Sequence, residues 1–127
     1  MFKAKGLRTA LNVRIVHTKN KDDAVVYVLR IEDVESGLHW ISNRRYNEFH
    51  TLHDELLDIS QFMKEIEFPK KKLALRNTIR LIESRIVALE SFIRKSLHLL
   101  TTYASMDALA SKALRHLQRF FVPALNF

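Results

Sequence analysis

The sequence predicts an α+β fold: a three-stranded antiparallel β-meander packed against a helical subdomain of three to four helices. Three observations carry that expectation. Up to Asn43, apolar residues alternate with polar ones or run together as β-formers, as strands require. After Tyr46 they recur every three or four residues, the period of a helix. The connections in the first part are short and polar, Lys19 to Asp23 and Glu35 to Gly37. Such links suit hairpins rather than the long crossovers of parallel strands.

Residues 1–9 are basic, carry Phe2 and Leu7, and read as a loose N-terminal arm of a single domain spanning 1–127, a length that suits one core. Leu11, Val13 and Ile15 alternate with Asn12, Arg14 and Val16, which gives a half-buried first strand. Lys19 to Asp23 is a polar turn. Ala24 to Val34 is rich in Val, Ile, Leu and Tyr and forms the second strand. Gly37 completes the next turn, where it can take positive φ without a Cβ penalty. Leu38 to Arg44 is the third strand.

The first helix then runs to about Asp58, with Phe49, Leu52, His53 and Leu56 on one side. Ile59 to Glu67 leaves helix and loop open, a short helical turn started by Ser60 being one reading. Pro69 breaks regular structure, and Glu67-Phe68 leads into it extended. Lys70 to Asn77 is a basic loop. A long helix follows over about Thr78 to Leu100, its stripe formed by Ile79, Ile82, Ile86, Leu89, Ile93, Leu97 and Leu100. Glu90 stands four residues before Arg94, the favoured order for a helical ion pair. Ser105 is placed to cap a short helix at Met106 to Leu109, and a last helix covers Lys112 to Val122, closed by Pro123.

Composition narrows the function. Apolar residues at 47% and charged residues at 28% suit a globular fold with a core. The absence of cysteine removes disulfides and thiol chemistry, so a reducing compartment is the natural expectation. The longest apolar run, Ala24 to Leu29, is far below the ~20 residues of a membrane span. No signal-peptide pattern is visible. The formal charge of +7 points to anionic partners: nucleic acid, anionic lipid or acidic protein. Much of it is concentrated from Phe68 to Ile82, where Lys70, Lys71, Lys72, Arg76 and Arg80 occur without an acid.

Two places suit an anion. At the third strand's end, Arg44 and Arg45 run straight into Tyr46. A guanidinium fork matches phosphate oxygens two at a time, and an adjacent ring can support a ligand's body. The alternative is that both arginines are solvated and Tyr46 belongs to the core. Arg85 lies at the margin of the long helix's apolar stripe, near Leu81 and Phe92. An arginine there needs a fixed partner or a route to water, so an internal salt bridge and a bound anion both remain open.

The run RRYNEFHTLHDEL, then FPKKKL, then ESRIVALESFI, with the RFFVP ending, resembles the phox-homology (PX) domain over almost the whole chain. The resemblance implies a three-stranded antiparallel sheet on a helical subdomain. It implies binding of phosphoinositide headgroups, most often phosphatidylinositol 3-phosphate, and recruitment to the cytosolic face of endosomal membranes. It assigns Arg45 to the 3-phosphate, Tyr46 to the inositol ring, and Arg85 to the 4- and 5-hydroxyls. Lys71 is assigned to the 1-phosphate, with Lys70 and Lys72 as alternatives. The family's loop commonly has proline where Lys70 stands; here Pro69 alone remains. Arg44, Lys70, Lys72, Arg76 and Arg80 are additional candidate anion contacts. Leu73 and Leu75, at the loop's tip, would enter the membrane or pack beneath the loop.

Other functions are less well supported. His50 and His53 are three apart, but a zinc site needs a third ligand that the spacing does not single out. No nucleophile motif or glycine-rich turn accompanies the Ser and Asp residues, so neither an enzyme nor a cofactor is expected. The alternatives are a protein-interaction module and a nucleic-acid-binding domain using the basic face, as an isolated module or part of a larger protein.

Overall fold

A computed structural model of the chain describes residues 10–70 and 78–122. Its strands are β1 (Leu11–Lys21), β2 (Ala24–Asp33) and β3 (His39–Arg45). They form one antiparallel sheet in the order β1-β2-β3. The helices are α1 (Tyr46–Ile59), α2 (Ile79–Tyr103) and α3 (Ala108–Phe120), with a 3-10 turn over Gln61–Glu65 after α1. This is the expected α+β arrangement of a meander and three helices.

The first hairpin is tighter than the polar run Lys19 to Asp23 suggests. β1 continues to Lys21, and only Asp22 and Asp23 make the turn, with φ of 50° and 59°. Aspartate tolerates the left-handed region, and a two-residue turn of that kind matches the strands' own twist. The register shifts between Ile15 and His17, a bulge that turns Val16 outward. In the second turn Gly37 adopts φ 76°. Its N–H donates to Asp33 O at 2.8 Å, and Asp33 N–H donates to Leu38 O at 2.8 Å.

One apolar core lies between the sheet and the helices. Tyr27, Leu29 and Ile31 of the central strand meet Phe49 and Leu56 of α1, Leu89, Phe92 and Ile93 of α2, and Leu114 and Leu117 of α3. Phe49 is the hinge of this packing, edge-on to Tyr27 at 6.1 Å and to Phe120 at 5.0 Å. The 3-10 turn buries Met63 and stacks Phe62 on Tyr103 at 4.4 Å.

Side chains tie both outer strands to the helices. On β1, Ile15 N–H donates to Glu90 Oε1 at 2.9 Å, and Arg94 Nε donates to Val13 O at 3.1 Å. The pair spaced for a helical ion bridge thus fastens α2 to an otherwise open strand. Beside β3, Trp40 Nε1 donates to Phe121 O at 2.7 Å, and Ser42 Oγ donates to Phe120 O at 3.2 Å.

Two expectations change. The stripe of α2 is buried from Leu89 onward, but Ile82 and Ile86 are half-buried and Ile79 is 75% exposed. Periodicity is uniform along the helix, whereas burial needs a neighbour standing opposite. The second change concerns the C-terminal helices: no short helix spans Met106 to Leu109. Residues 104–106 form a turn, and α3 is one continuous helix from Ala108. Asp107, not Ser105, is its N-cap, its Oδ1 accepting from Ala110 N–H at 2.8 Å. Asp107→Ala should therefore lower stability by about 0.5–2 kcal/mol in urea unfolding. Ser105→Ala should stay within about 0.5 kcal/mol of wild type.

Candidate functional site

The site forms where β3 becomes α1. Arg45 is the last residue of β3 and the N-cap of α1, in extended conformation (φ −93°, ψ 160°). Its N–H donates to Glu48 Oε1 at 3.0 Å, while Glu48 Oε2 accepts from Arg44 Nη1 at 2.9 Å. One carboxylate thus fixes the strand-to-helix turn. Consecutive side chains of a strand leave on opposite sides, so the two arginines separate.

Arg44 is committed to α3. Its Nε donates to Phe120 O at 3.0 Å and its Nη2 to Val122 O at 3.3 Å. Its guanidinium also lies over the Phe120 ring, 4.6 Å from the centroid. It satisfies carbonyls left open at a helix C-terminus, where a cation is also favoured. The structure thus places Arg44 at the end of α3, with its donors engaged by protein acceptors.

Arg45 instead lines a cleft of about 250 Å³ with Asp23, Ala24, Val25, Tyr27, Tyr46, Asn47 and Arg85. Arg85 arrives from α2, its guanidinium over the Tyr46 ring, 4.1 Å from the centroid. Its Nε is buried and has no hydrogen-bond partner. Among the described residues, no carboxylate lies within ion-pair distance of Arg45 or Arg85. The internal salt bridge left open for Arg85 is not formed there.

Tyr46 is the floor of this cleft. The phenol is 7% exposed, and its hydroxyl donates to Pro69 O at 2.6 Å. The ring expected to support a ligand lies under a guanidinium, so it acts first on Arg85. The Pro69 contact also brings the start of the basic segment to the cleft. Phe68, one residue earlier, stacks on His53 at 4.9 Å and meets Phe92 edge-on at 5.0 Å and Tyr46 at 5.7 Å. The two histidines set aside as metal ligands therefore flank an aromatic clamp, with Asp54 Oδ2 3.3 Å from His50 Nδ1.

Lys70 is exposed just beyond this clamp, and Arg80 is exposed in the first turn of α2. Lys71, Lys72, Leu73, Leu75 and Arg76 lie outside the described residues. Tyr27 and Asp23 are site-lining residues that sequence reasoning missed. A tyrosine within an apolar strand signals a polar tip needing a partner, but nothing in the sequence says where that tip ends. The Tyr27 hydroxyl is buried without a hydrogen-bond partner. Burial raises the pKa of Tyr27 and of Tyr46; the nearby Arg85 charge opposes the rise in both, and at Tyr27 the guanidinium also opposes it as a donor close to the hydroxyl, though without a well-formed hydrogen bond. Both phenols stay neutral near pH 7, so the cleft's charge belongs to Arg45, Arg85 and Asp23.

Larger clefts also occur among the described residues. One of about 420 Å³ between α1 and α3 includes Arg44, Glu48, Glu55 and His116. There Arg44 is committed, and His116 Nε2 is 3.1 Å from Glu55 Oε2. The other, of about 490 Å³, lies beside β1 and α2, and its Arg94 is bonded to β1. Size favours these two, but chemistry favours the smaller cleft, where neither guanidinium has a carboxylate partner among the described residues.

Comparison with known proteins agrees with this fold. The family model described as the PX domain matches residues 33–123. Among solved structures, the mouse SNX19 PX domain, crystallised with a bound sulphate ion, matches with a TM-score of 0.57. The two are 24% identical, and the match covers 88% of this chain and 96% of that one. At that identity the likeness speaks for the fold.

The raised Tyr27 pKa has a measurable consequence. A proton held more tightly in the folded state stabilises it below the unfolded value, ~10, and that stability is lost as pH rises through the folded value. Urea unfolding of wild type and Tyr27→Phe from pH 7 to 11 should show the variant losing less stability above about pH 10.

Proposed function

The chain belongs to the PX domain family, whose members are generally non-catalytic phosphoinositide-binding modules of membrane targeting, and from that premise we propose that residues 1–127 act as one such unit, recognising phosphatidylinositol 3-phosphate at endosomal membranes. One observation carries this reading. Arg45 and Arg85, distant in sequence and without a carboxylate partner among the described residues, line a single cleft floored by Tyr46. The Arg85 Nε, buried without a hydrogen-bond partner, is costly unless an acceptor reaches it, and Arg45 stands exposed at the same cleft.

In this reading Arg45 holds the 3-phosphate through its fork of donors. Arg85, steadied from one side by the Tyr46 ring, donates to the 4- and 5-hydroxyls. Tyr46 limits how deep the inositol ring sits. Lys71 meets the 1-phosphate, Pro69 being tied to Tyr46 two residues earlier. Charge-assisted hydrogen bonds contribute roughly 1.5–3 kcal/mol each. Three or four reach near-micromolar headgroup affinity after association costs.

Stable residence on a bilayer takes a second signal. Lys70, Lys72, Arg76 and Arg80 would each add about 1 kcal/mol near an anionic leaflet. Leu73 and Leu75 would insert, each worth roughly 1.5–3 kcal/mol if fully buried. No helix among the described residues is long and apolar enough to cross a membrane.

A liposome panel presenting each phosphoinositide isomer at fixed total charge tests the pocket. Arg45→Ala and Arg85→Ala should each weaken binding to the preferred isomer by about tenfold or more. Binding of every isomer at wild-type strength by Arg45→Ala would overturn the assignment. Leu73→Glu should weaken liposome binding yet leave soluble-headgroup binding and thermal unfolding unchanged. Undiminished liposome binding would remove the insertion step.

A further inference from the structure

We infer that Asp23 is the specificity-determining residue of the cleft: it admits a ring with one phosphate besides the phosphodiester and opposes rings carrying two or three. This assignment rests on the headgroup reading above and deepens it. Among the residues lining the cleft, Arg45 and Arg85 are cationic and Asp23 is the one carboxylate. Two guanidiniums and one carboxylate leave the lining a single net positive charge. A phosphomonoester alone carries about −1.5 to −2 at neutral pH, so the first phosphate already exceeds what the described lining supplies. A second one finds no further cation in that lining and meets an anion.

Backbone geometry puts the carboxylate there. Asp22 and Asp23 form a two-residue turn at positive φ, and the chain enters β2 at Ala24. Within the sheet, Val26 stands opposite Arg45, so the turn that carries Asp23 borders the arginine expected to hold the first phosphate. Asp23 has no ion-pair partner among the described residues, which leaves its charge uncompensated at the mouth. It is exposed, so water and salt moderate the repulsion. Its effect is on selectivity between headgroups, and Arg45 and Arg85 remain the source of affinity.

Asp23→Asn removes the charge while keeping a residue that tolerates left-handed backbone. Asp22→Asn makes the same change in net charge at a neighbour that does not line the cleft. Calorimetric titration would compare inositol 1,3-bisphosphate with inositol 1,3,4-trisphosphate and inositol 1,3,4,5-tetrakisphosphate. Parallel titrations would use vesicles bearing the matching lipids. Wild type should prefer the bisphosphate, and Asp23→Asn should reduce that preference about three- to fivefold at ~0.1 M salt, in solution and on vesicles alike. Asp22→Asn should leave the preference within about twofold of wild type. An unchanged preference in Asp23→Asn, an equal shift in Asp22→Asn, or a shift absent on vesicles overturns the role of Asp23 and leaves the pocket standing. No binding of any headgroup by wild type overturns both.

Discussion

A guanidinium held over a phenol, with no carboxylate partner among the described residues, is the constraint on which the candidate site turns. Arg85 lies over Tyr46 with its Nε buried and unpaired. The cation–π contact is worth roughly 0.5–2 kcal/mol. It offsets part of the desolvation of the charge and fixes the guanidinium's place, but it does not supply the acceptors that a planar fork of donors needs. The arginine is therefore held in position with its Nε still unpaired.

The rest of the structure serves that pairing. Tyr46 opens α1 directly after β3, so its position follows from where the strand ends and the helix begins. Glu48 fixes that junction by taking the Arg45 N–H with one oxygen and the Arg44 guanidinium with the other. Arg85 is carried by α2, which Glu90 and Arg94 fasten to β1. The aromatic clamp around Phe68 and the Tyr46–Pro69 hydrogen bond bring the basic segment to the cleft's side.

Much of the fold was legible because it depends on short-range pattern. Strand alternation, the change of period after Tyr46 and the break at Pro69 place the three strands and the first two helices to within about five residues. The misses have physical reasons. Ser105 and Asp107 are both capping residues, and the choice between them depends on where α3 meets the core at Ala110 and Leu114. Ile79 belongs to the same stripe as Leu89 and Ile93, yet no described element covers it.

Along the chain alone, spacing and residue type established an α+β meander with helices, an excess of positive charge around a proline-bounded segment, and arginines suited to an oxyanion. Those properties are local: they follow from propensity, period and side-chain chemistry. Folding alone separated Arg44 from Arg45, sending the first to the end of α3 and the second to the cleft. Folding also brought Arg85, Tyr27 and Asp23 to the same cleft. Neighbouring residues on a strand face opposite ways, and residues remote in sequence become neighbours only when sheet and helices close on a common core. That is why linear order could name the chemistry but not say which groups would share one space.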